Sequence, residues 1–118
     1  MCWVLLIEDH ADTRYVLDKV MRQWGHEVES APTVHSGLAL ANSKRFDAIL
    51  SDIGLPDGDG FGLIREVKNT PSKGAIKLAL TAFTSRADQV KAKSAGFHHF
   101  ISKPIDMDRL RVVLSTVL

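Results

Sequence analysis

The segment AILSDIGLPDGDGFGLIREV (48–67) holds, in order, an apolar run, an acidic residue, a turn-rich loop and a helical stripe. Ala48 to Ser51 reads as a buried strand, and Asp52 closes it. GLPDGDG (54–60) is dense in glycine, proline and aspartate, the residues that set turn geometry. Phe61, Leu63, Ile64 and Val67 then recur at helical spacing. A strand that passes through a loop into an amphipathic helix is the repeating unit of an α/β fold with a parallel sheet.

The same unit recurs on both sides. Upstream, VLLI (4–7) is a first strand; Val16, Leu17, Val20, Met21 and Trp24 mark a helix that Gly25 stops. Glu27 to Ser30 is a short second strand, and Thr33 caps a helix that turns Val34, Leu38 and Ala41 inward. Downstream, 69–74 is a loop and Ala75 to Leu80 a fourth strand. Ser85 starts a helix anchored by Ala87, Val90 and Ala95, of which only Val90 is large, so this helix is expected to be held weakly. Gly96 ends it, residues 98–102 make a fifth strand, and Asp106 caps a last helix with Met107, Leu110, Val113, Leu114 and Val117 facing the core. With right-handed crossovers the chain becomes a doubly wound α/β fold, five parallel strands with helices on both faces. Such sheets bind ligands beyond the carboxyl ends of their strands.

Four strands end on groups that phosphate chemistry uses: Glu8-Asp9, Asp52, Thr81 and Lys103. Two unit charges about 4 Å apart repel by roughly 4 kcal/mol at an effective dielectric of 20. Crowding Glu8, Asp9 and Asp52 therefore calls for a cation. A hard ion with oxygen ligands fits, magnesium first and manganese as its substitute. Lys103 suits a phosphate oxygen as a point charge, and Thr81 offers a hydroxyl. Asp52 is then free to act as the nucleophile and form an aspartyl phosphate. The protein's part is positioning and charge neutralisation.

Composition bounds the alternatives. The 118 residues suit one domain (1–118), and 45% apolar with 25% charged content is ordinary for a globular chain. A formal net charge of +1 gives no electrostatic footprint for nucleic acid or acidic lipid. No apolar run is long enough to span a bilayer, and Met1 leads directly into WVLLI (3–7) without the pattern of a signal peptide. Cys2 is the one cysteine, so an internal disulfide is excluded and a reducing, cytoplasmic setting is expected, either alone or as the cytosolic part of a membrane-associated sensor.

Glu8-Asp9, Asp52 followed by IGLPDGDG, Thr81-Ala82 and Lys103-Pro104 together resemble the receiver domain of two-component response regulators, over essentially the whole chain. The resemblance implies a flavodoxin-like sheet in the order 2-1-3-4-5 with five helices. It implies that Asp52 takes a phosphoryl group from a histidine kinase or a histidine-phosphotransfer protein. Magnesium would be held by Asp9, Asp52, Glu8 (directly or through water) and the backbone carbonyl of Gly54. Thr81 and Lys103 would contact the phosphoryl group. Thr81 and Phe100 would form the switch, repacking the 85–118 face through which a homodimer is expected, and the Lys103–Pro104 bond would be cis. Such a chain is a signalling acceptor that assists its own phosphorylation and dephosphorylation, not an enzyme acting on other substrates. Partner selection would fall on Arg14, Tyr15, Asp18, Arg22 and Ile105-Asp106. The style of DIGLPDGDG (52–60) is also that of receivers attached to hybrid sensor kinases.

Departures and competing readings are specific. Glu8 stands where many relatives carry Asp. Gly54 and Phe83, each two residues beyond a site residue, supply no group to activate water, which predicts a long-lived phosphoryl group. An aspartate-based phosphatase would want a second Asp at position 54, and a receiver-shaped interaction module would take no phosphate at all. Asp57 and Asp59 mimic a calcium loop, but the twelfth position is Lys68. The glycines at 58, 60 and 62 match neither a dinucleotide fingerprint nor a P-loop. His98 and His99, adjacent on a strand, face opposite ways and are read as surface residues. His10, beside the acidic pair, is read as a solvated loop residue.

Overall fold

In a computed structural model describing residues 2–82 and 85–117, β1 (Trp3–Ile7) lies between β2 (Glu27–Ala31) and β3 (Ala48–Asp52), with all pairs parallel. β3 pairs with β6 (Ile76–Thr81), and β6 with β7 (His99–Ser102), again parallel. The main sheet therefore runs β2-β1-β3-β6-β7, which is 2-1-3-4-5 when its own strands are counted. Between β3 and the next helix, β4 (Gly54–Leu55) and β5 (Gly58–Asp59) form a small antiparallel hairpin. The turn-rich reading of this loop did not anticipate the hairpin, whose tip is Pro56-Asp57.

The five helices are α1 (Ala11–Gln23), α2 (Val34–Ser43), α3 (Gly60–Val67), α4 (Arg86–Ala95) and α5 (Met107–Ser115). Side-chain caps open four of them. Thr33 and Ser36 make a reciprocal capping box, Asp59 accepts from the amide of Gly62, Ser85 from that of Asp88, and Asp106 from that of Arg109. Gly25 (φ 93°) and Gly96 (φ 122°) terminate α1 and α4 in backbone conformations that side chains rarely adopt. Among the described residues no helix is long and apolar enough to cross a membrane.

Alternation along the strands divides the interior in two. Leu5, Ile7, Ile49 and Ala79 join Ala41, Phe61, Ile64, Ala92 and Ala95 on the face covered by α2, α3 and α4. Val4, Leu6, Leu50, Leu78, Leu80 and Ile101 join Leu17, Met21, Leu110 and Leu114 on the face covered by α1 and α5. The two layers of helices bury β3 completely and β1 from Val4 onward, which is why these central strands read as apolar runs, whereas the edge strands β2 and β7 stay partly exposed.

Two helix stripes differ from the sequence reading. Val16 is 47% exposed, because at 100° per residue it sits well off the Leu17–Met21 line that meets the sheet. Val90 is 61% exposed, and Ala87 is exposed as well. The inward face of α4 is set by Ala92 and Ala95, and Val90, two residues before Ala92, points the opposite way. The apolar anchoring of α4 thus comes from two methyl groups, with the Lys91 ammonium lying over the Phe61 ring (4.7 Å to its centroid).

Candidate functional site

Parallel strands all deliver their C-termini to one edge, and the register brings the four predicted groups together there. β3 ends on Asp52 and β6 on Thr81; Glu8 follows β1, and its amide donates to Ala31 O (3.0 Å) as β1 leaves the sheet. Lys103 follows β7, and its amide donates to Thr81 O (2.8 Å), fixing it beside the end of β6. The Lys103–Pro104 peptide bond is cis.

Lys103 Nζ donates to Glu8 Oε1 (2.7 Å) and to Asp52 Oδ2 (2.8 Å). Asp52 Oδ1 accepts from the amide of Ile53 (2.7 Å). Arg14 reaches back from α1, donating to the backbone oxygen of Glu8 (2.8 Å). Glu8 is wholly buried, Asp52 and Thr81 nearly so, and Asp9 is half-buried. The close approach of α3 to this edge depends on Gly60: a Cβ there would lie 2.5 Å from the carbonyl oxygen of Asp52.

The carboxylates divide their roles. Burial, followed by hydrogen bonding to Asp52, pushes Glu8 up to about 7, against the pull of Lys103. Burial also works upward on Asp52, but hydrogen bonds with Glu8, Lys103 and the Ile53 amide outweigh it and hold Asp52 below the ordinary carboxylate range. Burial alone would lower Lys103; its bonds to the two carboxylates leave it raised. The pair therefore holds an ionised Asp52 beside a Glu8 that keeps its proton well above the ordinary carboxylate range.

The lysine satisfies one oxygen on each of two carboxylates and leaves the rest. Glu8 Oε2 and Asp9 Oδ1 are buried without a hydrogen-bond partner among the described residues. Orphaned, inward-facing carboxylate oxygens beside Asp52 are what a divalent cation would need, so the donor set fits a hard ion. Glu8, Asp9, His10 and Asp52 each offer one ligand atom, all within 4.8 Å of one another. His10, read from the sequence as a solvated residue, is 71% exposed yet directs Nδ1 to 3.4 Å from Asp9 Oδ1. Alternating strand geometry and a helix start give no signal for that orientation.

Other predicted residues are placed as follows. Gly54 is exposed in the hairpin, with open space where a Cβ would stand. Phe100 is half-buried on β7, paired across to Ala79 and packed on the α3–α4 side of the core. Phe83 lies outside the described residues. His98 is exposed as read, but its Nδ1 accepts from the amide of Lys77 (3.0 Å). Asp57, read as a turn residue, accepts from the amides of Val34 (2.7 Å) and His35 (2.9 Å), adding a second cap to α2 from the hairpin tip. Beside the site, Val16, Leu17, Pro104, Ile105 and Met107 line an apolar groove of about 340 Å³, with Asp12, Thr13 and Lys103 at its rim.

The chain's likenesses agree with this geometry. Over 115 residues it is 33% identical to the transcriptional regulatory protein ZraR of Salmonella typhimurium, covering 98% of this chain and 26% of that one. It thus spans about a quarter of the length of that relative. Chemotaxis protein CheY4 of Vibrio cholerae superposes with a TM-score of 0.92 at 31% identity, covering 100% of this chain and 99% of the other. The receiver domain of the sensor histidine kinase PA1611 from Pseudomonas aeruginosa, solved with a magnesium ion coordinated in its active site cleft, superposes with a TM-score of 0.89 at 27% identity, covering 98% and 96%. The model of the response regulator receiver domain matches residues 4–115, and with it the convergence of Glu8, Asp9, Asp52, Thr81 and Lys103 at one sheet edge has its explanation: this chain belongs to the response regulator receiver domains.

Proposed function

We propose that residues 1–118 form one phosphoacceptor unit in which Asp52 receives a phosphoryl group from a phosphohistidine on a histidine kinase or histidine-phosphotransfer protein. The observation that carries this is the state of Asp52. It ends a fully buried strand, is held ionised, and has one oxygen on the Ile53 amide and the other on Lys103. A carboxylate oxygen attacks phosphorus in line, the phosphorus–nitrogen bond breaks, and its electron pair returns to the imidazole ring. Glu8, Asp9, Asp52 and the backbone carbonyl of Gly54 would hold magnesium, or manganese in its place. The cation would neutralise charge on the transferring oxygens. Lys103 moves from its carboxylate partners to a phosphoryl oxygen, and the Thr81 hydroxyl donates to another.

The switch follows from the same movements. Thr81 closes on the new dianion, Phe100 turns into the space behind it, and the lightly anchored α4 repacks with β7. The 85–118 face is then the output surface and the site of homodimerisation. The apolar groove beside Lys103, together with Arg14, Tyr15, Asp18, Arg22 and Ile105-Asp106, is the docking surface for the donor. Gly54 and Phe83 leave the bound group without a water-activating neighbour, which gives it a long lifetime. The chain acts in the cytoplasm and does not touch nucleic acid or membrane.

The test is intact-mass measurement after incubation with acetyl phosphate and magnesium chloride. One added phosphoryl group is expected, absent in Asp52→Asn and in excess EDTA. An unmodified parent would instead favour a receiver-shaped interaction module, and an adduct on Asp52→Asn would refute the assignment of the acceptor.

A further inference from the structure

We infer that His10 supplies a nitrogen ligand to the cation held by Glu8, Asp9 and Asp52, so that the site favours first-row transition ions such as manganese over magnesium. This rests on the cation site proposed above and specifies the class of ion it takes.

Four observations carry it. His10 is the N-cap residue of α1 but makes no capping bond, so its ring is not engaged in holding the helix start. Its Nδ1 lies 3.4 Å from Asp9 Oδ1 and 3.7 Å from Glu8 Oε1. Ligand atoms on neighbouring vertices of an octahedron with bonds of about 2.1 Å stand about 3 Å apart, so a small inward movement closes the set. The ring is at the solvent side, whereas Glu8 is wholly buried and its Oε2 is without a partner among the described residues. A cation between them would therefore be held from below by carboxylates and from above by imidazole. Finally, two other histidines are engaged elsewhere: His26 with Cys2, and His98 with the Lys77 amide.

The chemistry follows from ligand type. Magnesium is reluctant to exchange water for nitrogen, and keeps water at a position where imidazole is offered. First-row transition ions accept imidazole readily, and their affinity for mixed nitrogen and oxygen sites increases from manganese through cobalt to nickel. The lysine at the far side of the cluster remains on Glu8 Oε1 and Asp52 Oδ2, so the nitrogen adds to the cation's ligands without displacing the charge that already balances the pair.

The experiment compares the parent chain, His10→Ala and Asp52→Asn by calorimetric titration with magnesium and with manganese, at one fixed pH. Pulsed electron paramagnetic resonance of the manganese-loaded proteins follows. Loss of a direct ligand is expected to cost at least what loss of an outer-shell partner does, so manganese should weaken about tenfold or more, while magnesium, which keeps water at that position, should be nearly unchanged. The parent should carry a single strong nitrogen coupling at manganese that His10→Ala lacks. Equal weakening of both ions, no weakening of either, or no nitrogen coupling in the parent would overturn the inference while leaving the phosphoacceptor reading intact. A parent that binds neither ion, or an Asp52→Asn that binds both as tightly as the parent, would remove the cation site itself.

Discussion

Glu8→Gln should abolish a pH-dependent loss of stability in the cation-free protein. The native Glu8 carboxyl is raised from the ordinary 4.5 to about 7. Between those two pH values the native state holds a proton that the unfolded chain has released. The stabilisation is complete below about pH 4.5 and is lost as pH rises through 7. At about 1.4 kcal/mol per tenfold in proton affinity, the full swing is roughly 3 to 4 kcal/mol. His26 and His98 are both lowered, first by burial, so their contributions fall away in the opposite direction, as pH drops below 6.5. The informative quantity is therefore the difference between parent and variant, in which the histidine contributions cancel. Urea unfolding in EDTA at pH 5, 6, 7 and 8, followed by circular dichroism, measures it. The parent should lose about 2 to 3 kcal/mol relative to Glu8→Gln across that range, and a divalent cation should restore it at pH 8. A difference that stays flat would refute the placement of the shared proton on Glu8.

Other expectations follow from single contacts. Lys103→Met leaves two buried carboxylates facing each other and should cost about 2 to 4 kcal/mol in EDTA, with part recovered by magnesium; urea denaturation reads both. Gly60→Ala drives a methyl against the backbone of Asp52 and should destabilise by about 1 to 3 kcal/mol, and slow labelling of Asp52 by acetyl phosphate more than stability alone accounts for. Asp57→Ala removes two acceptors from the start of α2 and should speed hydrogen exchange at the amides of Val34 and His35, with little change in the helix interior.

Much of this architecture was legible because strand ends are a one-dimensional feature. Asp52 and Thr81 close apolar runs, and parallel pairing carries such residues to one edge whatever the helices do. Helix caps were equally visible, since Thr33, Ser85 and Asp106 act within a few residues of themselves. The failures concern direction. Val16 and Val90 are apolar residues at loosely helical spacing, but which face of a helix meets the sheet is settled by its neighbours, and α4 is seated by alanines too small to stand out in the sequence. Asp57 and His10 are the exposed turn and loop residues that the sequence reading expects, but their neighbours come from tertiary folding: an α2 amide pair 22 to 23 residues away in one case and a buried acidic cluster in the other. The register of Lys103 against both Glu8 and Asp52, 95 and 51 residues away, could be named as a meeting but not as a specific pair of bonds.

Because Lys103 is tied by its amide to Thr81 and by its ammonium to both acids, it behaves as a tethered counter-ion. A free cation entering this edge competes with a charge that is always present at high local concentration. Monovalent ions, which offer no more charge than the lysine and lack its tether, gain nothing by displacing it. A divalent ion held by the orphaned oxygens of Glu8 and Asp9 can enter with the lysine's bonds left in place, so this edge is expected to favour divalent over alkali cations.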